Sequence, residues 1–413
     1  MKPLAQASDG GHDSTPAGQS PVLFVHAGAE LYGADRILLE LAAGLKARGH
    51  ALQVVLPGPG PLHAELAQVG VPTHRRNLGV LRRRYFTPLG LVNRLCRVLG
   101  ATLFLRRRAV QMARAQGQGV AIVHSNTTAV LAGALAARLA GLPHVWHVHE
   151  ITTRPRWFAR LMATGVGLLT QRAVFVSAAT RDHMCALSPR VRSKAVVIHN
   201  GIDPSRAQQG SRGALRGECG FDEQHVVVGM IGRINWWKGQ GRLLDCAVAL
   251  LPQHAQLRFL MVGGTFDGDN RARDELLQRI AESGLASQVV VQDFRADVGN
   301  VLADIDIFVL PSTEPDPFPT VVLEAMAAGK PVVAFRHGGV CEMVEDGVSG
   351  LLCEPVQAGG MADAIQRLAA SPPLRQQMGE AGRQRLQQLF TQEAFIDQFA
   401  ALYAELAVEH RAR

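Results

Sequence analysis

The sequence is poor in several patterns, and each absence argues against a class of protein. Its six cysteines include no C-x-x-C pair and no Cys/His cluster at zinc-finger spacing, so neither a disulfide framework nor a structural metal site is predicted. Residues 1–20 are polar and lack a basic start followed by an apolar segment, which argues against a signal peptide and is typical of a disordered tail. The most apolar helical run, 129–143, is shorter than a bilayer span and contains Arg138, so no transmembrane helix is predicted. These absences favour a globular protein of the cytoplasm.

Acidic residues are missing from the stretch between Leu66 and His149, which contains a dozen arginines. Two arginine triplets belong to it: Arg82, Arg83 and Arg84, then Arg106, Arg107 and Arg108. Apolar residues recur between the triplets at helical spacing: Leu91, Leu95, Val98 and Leu105. An apolar stripe with a basic flank is typical of a helix in a membrane interface, whereas an ordinary solvated face explains the charge equally well. We predict that the triplets form a basic patch that binds an anionic membrane leaflet or an acceptor.

Short β-rich apolar runs alternate with segments of helical periodicity along the chain, which predicts parallel β/α units. The runs form two series: 22–26, 52–56, 120–124, 145–148 and 174–177, then 226–231, 258–262, 289–292, 307–310 and 332–335. We therefore predict an α/β protein of two Rossmann-like, doubly wound domains that face a cleft.

The boundary between the two series falls at 200–204, an Asn-Gly-Ile-Asp-Pro turn. A Gly/Arg/Ser/Gln stretch follows to about Gly213, and its composition predicts a flexible hinge. The predicted organisation is a tail, an N-terminal domain, a C-terminal domain and a final helical segment, over 1–20, 21–204, 205–389 and 390–413 respectively.

Loops that follow strands are the expected ligand sites of open parallel sheets. The loop around Gly33 precedes a helix and can direct backbone N–H groups at an anion, although an ordinary tight turn explains its glycines as well. It lacks the G-x-G-x-x-G spacing, which disfavours NAD binding. Arg233 and Lys238 follow the run 226–231 beside glycines, where a forked and a compact cation suit a diphosphate. Only five lysines occur in the chain, which favours a geometric need for Lys238 over a solvated pair.

Acidic and histidine side chains follow two other strands. His149 ends the run 145–148 in an H-x-H-E segment, a pattern that is either structural or functional and is not by itself a zinc site. Glu314 and Asp316 lie in a proline-rich loop after the run 307–310, and Glu324 lies in the helix predicted next, over 321–329. Such acids can simply favour a helix start. A buried Glu324, however, needs a polar partner such as vicinal hydroxyls.

The segment Asp267-Gly268-Asp269 looks like a metal-binding D-x-D motif. Because it lies in a Gly-rich loop before a helix, we expect it to cap that helix instead. No metal site is predicted.

Taken in order, these segments resemble the retaining GT-B glycosyltransferases of glycosyltransferase family 4, also called the group 1 glycosyl transferases. The resemblance extends over nearly all of 21–408. It depends most on the segments GRINWWKGQ, FVLPSTEPDPFPTVVLEAMAAGKPVVA and GGVCEMVEDGVSGLL.

The resemblance implies roles for residues around one site. It implies that Arg233 and Lys238 clamp the donor diphosphate, that Glu324 holds the ribose, and that the Gly33 loop closes over the phosphates. Further donor-binding residues implied by the motif are Phe318, Thr320 and Val321. His149 would lie beside the donor sugar, and the C-terminal helix would cross back to the first domain. The reaction would proceed on one face of the sugar, and the leaving diphosphate would help to deprotonate the acceptor.

Two positions depart from the family pattern. The first Glu of its E-P-F-G segment is Asp316 here, with Glu314 two residues earlier, so either carboxylate is a candidate for the sugar contact. The Gly after Phe is Pro319, which has no N–H to donate but suits the start of a helix.

We expect a metal-independent, cofactor-free hexosyltransferase that retains the sugar configuration. Its donor would be a UDP or GDP sugar and its acceptor a lipid-linked or polysaccharide precursor of cell-surface glycans. We expect it in the cytoplasm, docked on the inner membrane face. A nucleotide-sugar epimerase or a phosphorylase of the same fold is the alternative. A basic module that binds nucleic acid is disfavoured, because few aromatic residues accompany the arginines: Tyr85, Phe86 and Phe104.

Overall fold

A computed structural model describes residues 19–80, 87–115, 120–265, 269–355 and 359–412. Some predictions therefore lie outside the described residues. These are the tail up to residue 18, the first arginine triplet Arg82, Arg83 and Arg84, and the first two residues of the Asp267-Gly268-Asp269 segment.

The first domain contains a seven-stranded parallel sheet in the order β3-β2-β1-β4-β5-β6-β7. Its strands are β1 (Val22–His26), β2 (Leu52–Leu56), β3 (Thr73–Arg75), β4 (Ile122–Asn126), β5 (His144–Val148), β6 (Arg172–Phe175) and β7 (Ala195–Val197). Its helices are α1 (Gly33–Ala47), α2 (Leu62–Gln68), α3 (Pro88–Ala115), α4 (Leu131–Ala140), α5 (Arg156–Leu169), α6 (Ala178–Leu187) and a 3-10 helix over Pro189–Lys194. Strands β1, β4 and β5 are buried along their whole length, as expected of a parallel sheet covered on both faces.

The second domain contains a six-stranded sheet in the order β10-β9-β8-β11-β12-β13. Its strands are β8 (Val226–Ile231), β9 (Leu257–Val262), β10 (Val289–Gln292), β11 (Ile307–Leu310), β12 (Val332–Phe335) and β13 (Gly350–Cys353). Its helices are α7 (Ser205–Gln208), α8 (Ala214–Glu218), α9 (Gln240–Leu250), α10 (Arg271–Glu282), α11 (Val298–Asp304), α12 (Thr320–Ala327), α13 (Val340–Met343), α14 (Gly360–Ala369) and α15 (Pro372–Leu389). Two parallel, doubly wound domains confirm the predicted fold class.

The last helix, α16 (Gln392–Arg411), packs on the first domain. Its aromatic residues Phe395, Phe399 and Tyr403 are buried in the same apolar cluster as α1. The Tyr403 hydroxyl also lies 2.6 Å from His124 Nδ1 on β4. The chain thus crosses between the domains twice.

The two crossings lie side by side. The N–H of Ile202 donates to the carbonyl of Phe390 at 3.1 Å, and a Cβ at Gly201 would stand only 2.1 Å from the carbonyl oxygen of Thr391. The predicted flexible connector, however, is not a loose linker. It contains α7 and leads into α8, whose Leu215 N–H donates to the buried carboxylate of Asp304 at 2.7 Å.

Helix α3 bears on two expectations about membranes, and the burial of its side chains corrects the second. By length and composition it could cross a bilayer, although the sequence predicted no such segment. The predicted stripe is not a single exposed face either, because Val98 and Leu105 are buried whereas Leu91 and Leu95 are exposed. The stripe runs past the edge of the domain, so only its second half packs on α4 and the sheet. Arg106 and Arg107 of the second triplet are exposed and Arg108 is half-buried.

Candidate active site

One cavity of about 1200 Å³ lies between the two domains, where the loops after their strands face each other. All ten predicted donor-binding and catalytic residues contribute to its wall: Gly33, His149, Arg233, Lys238, Glu314, Asp316, Phe318, Thr320, Val321 and Glu324. The structure therefore brings together residues that are up to 291 positions apart in the chain, from Gly33 to Glu324.

The two cations after β8 each have a defined neighbour. Lys238 Nζ lies 2.5 Å from Asp316 Oδ2 and 4.4 Å from the ring of Trp237. The Arg233 guanidinium stands 4.7 Å from the ring of Tyr32, which belongs to the other domain. Both positive groups face the same cavity, as a diphosphate site requires.

A glycine fixes the loop that carries Lys238. Gly239 has φ +86°, and a Cβ there would lie 1.8 Å from the carbonyl oxygen of Pro311. Only glycine fits this left-handed, close-packed position. The loops after β8 and β11 are therefore held against each other.

The proline-rich loop after β11 distinguishes its two acids. Asp316 is only 7% exposed and pairs with Lys238, whereas Glu314 is half-buried at the cavity wall. The loop packs on Gly338 and Gly339, where a Cβ would stand 2.4 Å from the carbonyl oxygen of Asp316 and 2.0 Å from that of Pro317. This packing explains the two glycines that open the segment GGVCEMVEDGVSGLL.

Helix α12 begins at the cavity wall, with Pro319 as its N-cap residue. The first N–H groups of a helix have no partner within it, and together with the helix dipole they favour an anion. Thr320 and Val321, the first two residues of α12, therefore present donors on the cavity side of the helix. The missing N–H of Pro319 removes one donor just before them.

Glu324 lies one turn further along α12 and faces charges from both domains. Burial raises the pKa of this carboxyl to about 7, and Arg36 and Arg206 oppose the rise. Glu40 of α1 belongs to the same cluster: burial and the charge of Glu324 raise its pKa to about 8. Its Oε2 atom is buried and has no hydrogen-bond partner among the described residues. Sequence reasoning missed Arg36, Glu40 and Arg206, because only the closed pair of domains assembles them.

His149 is held by a hydrogen bond from its Nε2 to the amide oxygen of Asn126, 2.9 Å away. The amide oxygen can only accept, so Nε2 carries the proton and Nδ1 is the accepting nitrogen. Burial lowers the pKa of His149 to about 3, which keeps the ring neutral. Behind Asn126 lies a buried pair, His26 Nε2 and Asp35 Oδ1, at 2.7 Å. The sequence could have indicated Asn126, because the polar residues His-Ser-Asn end an otherwise apolar strand.

Glu342 provides a contact between the domains that sequence reasoning also missed. Its carboxylate accepts from the N–H groups of Ala178 and Ala179 at the start of α6, at 2.8 and 3.0 Å. It also lies 2.9 Å from Nε2 of His199, whose ring stacks on Phe318. These contacts join the cavity loop of the second domain to the first domain.

The expected helix cap at Asp269 is displaced by one residue. The N-cap of α10 is Asn270, and exposed Asp269 pairs with Arg271 at 2.7 Å. Within the described parts of the chain, no group of three or more His, Cys, Asp or Glu side chains could hold a metal ion.

Two sequence families match the chain. Glycosyltransferase Family 4 matches residues 32–206, and Glycosyl transferases group 1 matches residues 211–385. Alpha-maltose-1-phosphate synthase of Mycobacterium tuberculosis is 30% identical over 77% of this chain and 85% of its own length. Alpha-D-kanosaminyltransferase of Streptomyces kanamyceticus is 27% identical over 89% of this chain and 92% of its own length. The crystal structure of Anabaena HepE in complex with UDP-glucose matches with a TM-score of 0.79 and 26% identity, over 93% of this chain and 99% of HepE.

Proposed function

The chain belongs to the glycosyl transferases group 1 and is a glycosyltransferase, and we propose that it transfers a hexose from a UDP or GDP sugar with retention of configuration. The assignment of the donor is based on the groups that line one wall of the cavity. Arg233, Lys238 and the start of α12 surround a site for a diphosphate, and Glu324 lies one turn beyond for a ribose. HepE, which shares this fold, was crystallised with UDP-glucose.

The side chains around the cavity favour a reaction without a protein nucleophile. His149 is a weak base with a pKa of about 3, and Asp316 is paired with Lys238. In the proposed step the bond from the anomeric carbon to the diphosphate oxygen breaks, and the acceptor oxygen bonds to that carbon on the same face. The acceptor proton passes to the leaving diphosphate. Arg233 and Lys238 stabilise the charge that develops there.

The same cations support a reaction without metal or other cofactor. A divalent ion commonly neutralises a leaving diphosphate, and here two fixed cations and a helix start face that position. The acceptor would bind on the first domain, and a lipid-linked or polysaccharide precursor of a cell-surface glycan is the proposed class.

Thermal-shift measurements with UDP, GDP, ADP and their sugars test the donor assignment, in one series with EDTA and in a parallel series with Mg²⁺ or Mn²⁺ in its place. We expect one nucleotide series to stabilise the protein, by about 2.7 kcal/mol at a hundred times its dissociation constant. Stabilisation that requires added Mg²⁺ or Mn²⁺ would contradict metal independence. The absence of any nucleotide effect would contradict the donor site.

Asp316, rather than Glu314, is expected to be the carboxylate required for transfer. Asp316→Asn removes the charge that holds Lys238, so we expect turnover to fall by at least about tenfold, corresponding to 1.4 kcal/mol. Glu314→Gln is the matched control and should stay within about threefold of wild type. Steady-state rates with the identified donor decide between them. An inactive Glu314→Gln beside an active Asp316→Asn would reverse the assignment.

A further inference from the structure

We propose that the first domain docks on an anionic bilayer through the projecting start of α3 and the start of α5. The arginine triplets alone do not define this surface. It is formed by exposed apolar side chains of the two helices, flanked by arginines, and its exposure does not depend on the proposed transfer reaction.

The start of α3 projects beyond the body of the first domain. A Cβ at Gly79 would lie 2.9 Å from the carbonyl oxygen of Arg94, so α3 contacts the rest of the domain at this point. The six residues of α3 before Arg94 extend about 9 Å further. They include Leu89, which is 85% exposed, and Val92, which is 61% exposed. Leu95, one turn after Leu91, is exposed as well.

Helix α5 adds a second apolar group on the same side of the sheet. Helices α3, α4 and α5 share two adjoining apolar clusters on one face, while α1 and α16 cover the opposite face. Residues 149–154, which directly precede α5, line the cavity. Gly79, four residues beyond the carboxyl end of β3, packs against α3 at Arg94, so the start of α3 lies beyond the same edge of the sheet. Trp157 and Leu161, in the first two turns of α5, are each 60% exposed. Exposed tryptophan and leucine beside arginine are typical of surfaces that enter a membrane interface.

The positive charge of this surface indicates which partner binds it. Helix α3 contains six arginines and helix α5 two, and neither contains an acidic residue. A second copy of the chain placed on the same surface would bring these like charges together, which is unfavourable. Anionic headgroups complement the arginines, and acyl chains accept the leucines, so a bilayer satisfies both features.

The packing of α3 indicates that it lies on the membrane and does not cross it. From Val98 onward one side of the helix is buried against α4 and the sheet, through Ala101, Leu105, Ala109 and Met112. If α3 crossed a bilayer, this side of the helix would lose its packing against α4 and the sheet. Residues 149–154 line the cavity immediately before α5 begins. Docking would therefore place the cavity mouth at the bilayer, where a lipid-linked acceptor would enter; only this consequence rests on the proposed function.

The test is co-sedimentation of the full chain with phosphatidylcholine vesicles, with and without phosphatidylglycerol, at low and high salt. We expect binding to require the anionic lipid and to weaken with salt. The triple variant L89S/V92S/L95S should bind at least about tenfold more weakly. R97Q/R156Q/R160Q, which removes exposed arginines near the starts of α3 and α5, should lose roughly fivefold for each arginine removed.

The matched control is V248S/L277S/L389S, which changes three exposed apolar residues of the second domain and should bind like wild type. A blue shift of tryptophan emission on vesicle binding should disappear in W157F. Circular dichroism and the nucleotide thermal shift report on folding and on donor binding without vesicles, so failure of docking and failure of the proposed function are distinguishable.

Three results would overturn the proposal. They are equal binding to neutral and anionic vesicles, wild-type binding by L89S/V92S/L95S, and a dimer in light scattering that this variant abolishes.

Discussion

Replacing Lys238 by alanine is expected to weaken donor nucleotide binding by roughly ten- to a hundredfold, since a charge-assisted hydrogen bond contributes about 1.5 to 3 kcal/mol. The loss has two parts. The ammonium no longer contacts the diphosphate, and the buried carboxylate of Asp316, 2.5 Å away, is left without its partner. Titration calorimetry with the nucleotide that stabilises the protein measures the effect.

A double-mutant cycle with Asp316→Asn separates the two parts. If Lys238 contacts the diphosphate directly, nucleotide binding stays weak in the double variant. Recovery of wild-type affinity there would show that Lys238 serves only to neutralise Asp316. Lys194→Ala is the control, because its ammonium donates to the carbonyl of Gly167, and neither residue lines the cavity. Wild-type affinity in both Lys238→Ala and Arg233→Ala would contradict the diphosphate site.

Glu324→Gln is expected to change donor affinity and protein stability in opposite directions. Burial raises the pKa of this carboxyl to about 7, so its ionisation disfavours the folded state as pH rises from the unfolded value towards 7. The glutamine variant should therefore be more stable than wild type at pH 8, by on the order of 3 kcal/mol, and equal to it at pH 4. Donor binding needs the ionised carboxylate for the ribose hydroxyls. Wild-type affinity should therefore rise through pH 7, and that rise should be absent in the variant.

Glu40→Gln is a matched control for this prediction. The pKa of Glu40 is also raised, to about 8, so the variant should gain stability at high pH in the same way. Glu40 does not line the cavity, and its removal should leave the pH dependence of donor affinity largely in place. Melting temperatures and calorimetry at pH 6 and pH 8 give both quantities. A pH-independent affinity in wild type would contradict the proposed role of Glu324.

The strands that the sequence predicted well are the ones with continuous apolar runs. Strands β1, β2 and β8 to β12 lie within one residue of their expected bounds. Strands β3, β7 and β13 were missed: the first two have only three residues each at a sheet edge, and β13 begins with Gly350. Strand β4 is displaced by two residues, because His124, Ser125 and Asn126 are polar yet buried. Their hydrogen-bond partners come from other strands and from α16.

The candidate site was predictable to the extent that it follows from local patterns. Loops after strands carry Arg233, Lys238 and Asp316, and the parallel topology brings such loops to one edge. The contacts between domains were not predictable in this way. Arg36 of α1 approaches Glu324 of α12, and Glu342 caps α6, only because the two domains close on each other. No periodicity in the chain encodes that arrangement.

The most direct test of the proposed transferase is the anomeric configuration of its product. The identified nucleotide sugar is incubated with a membrane lipid fraction as acceptor, in EDTA, and followed by proton NMR. Our account predicts that donor is consumed only with acceptor, and that the new glycoside has the configuration of the donor. An inverted product would contradict the retaining mechanism. Isomerisation of the donor without acceptor, as in an epimerase, or turnover that needs phosphate, as in a phosphorylase, would contradict the proposed transfer.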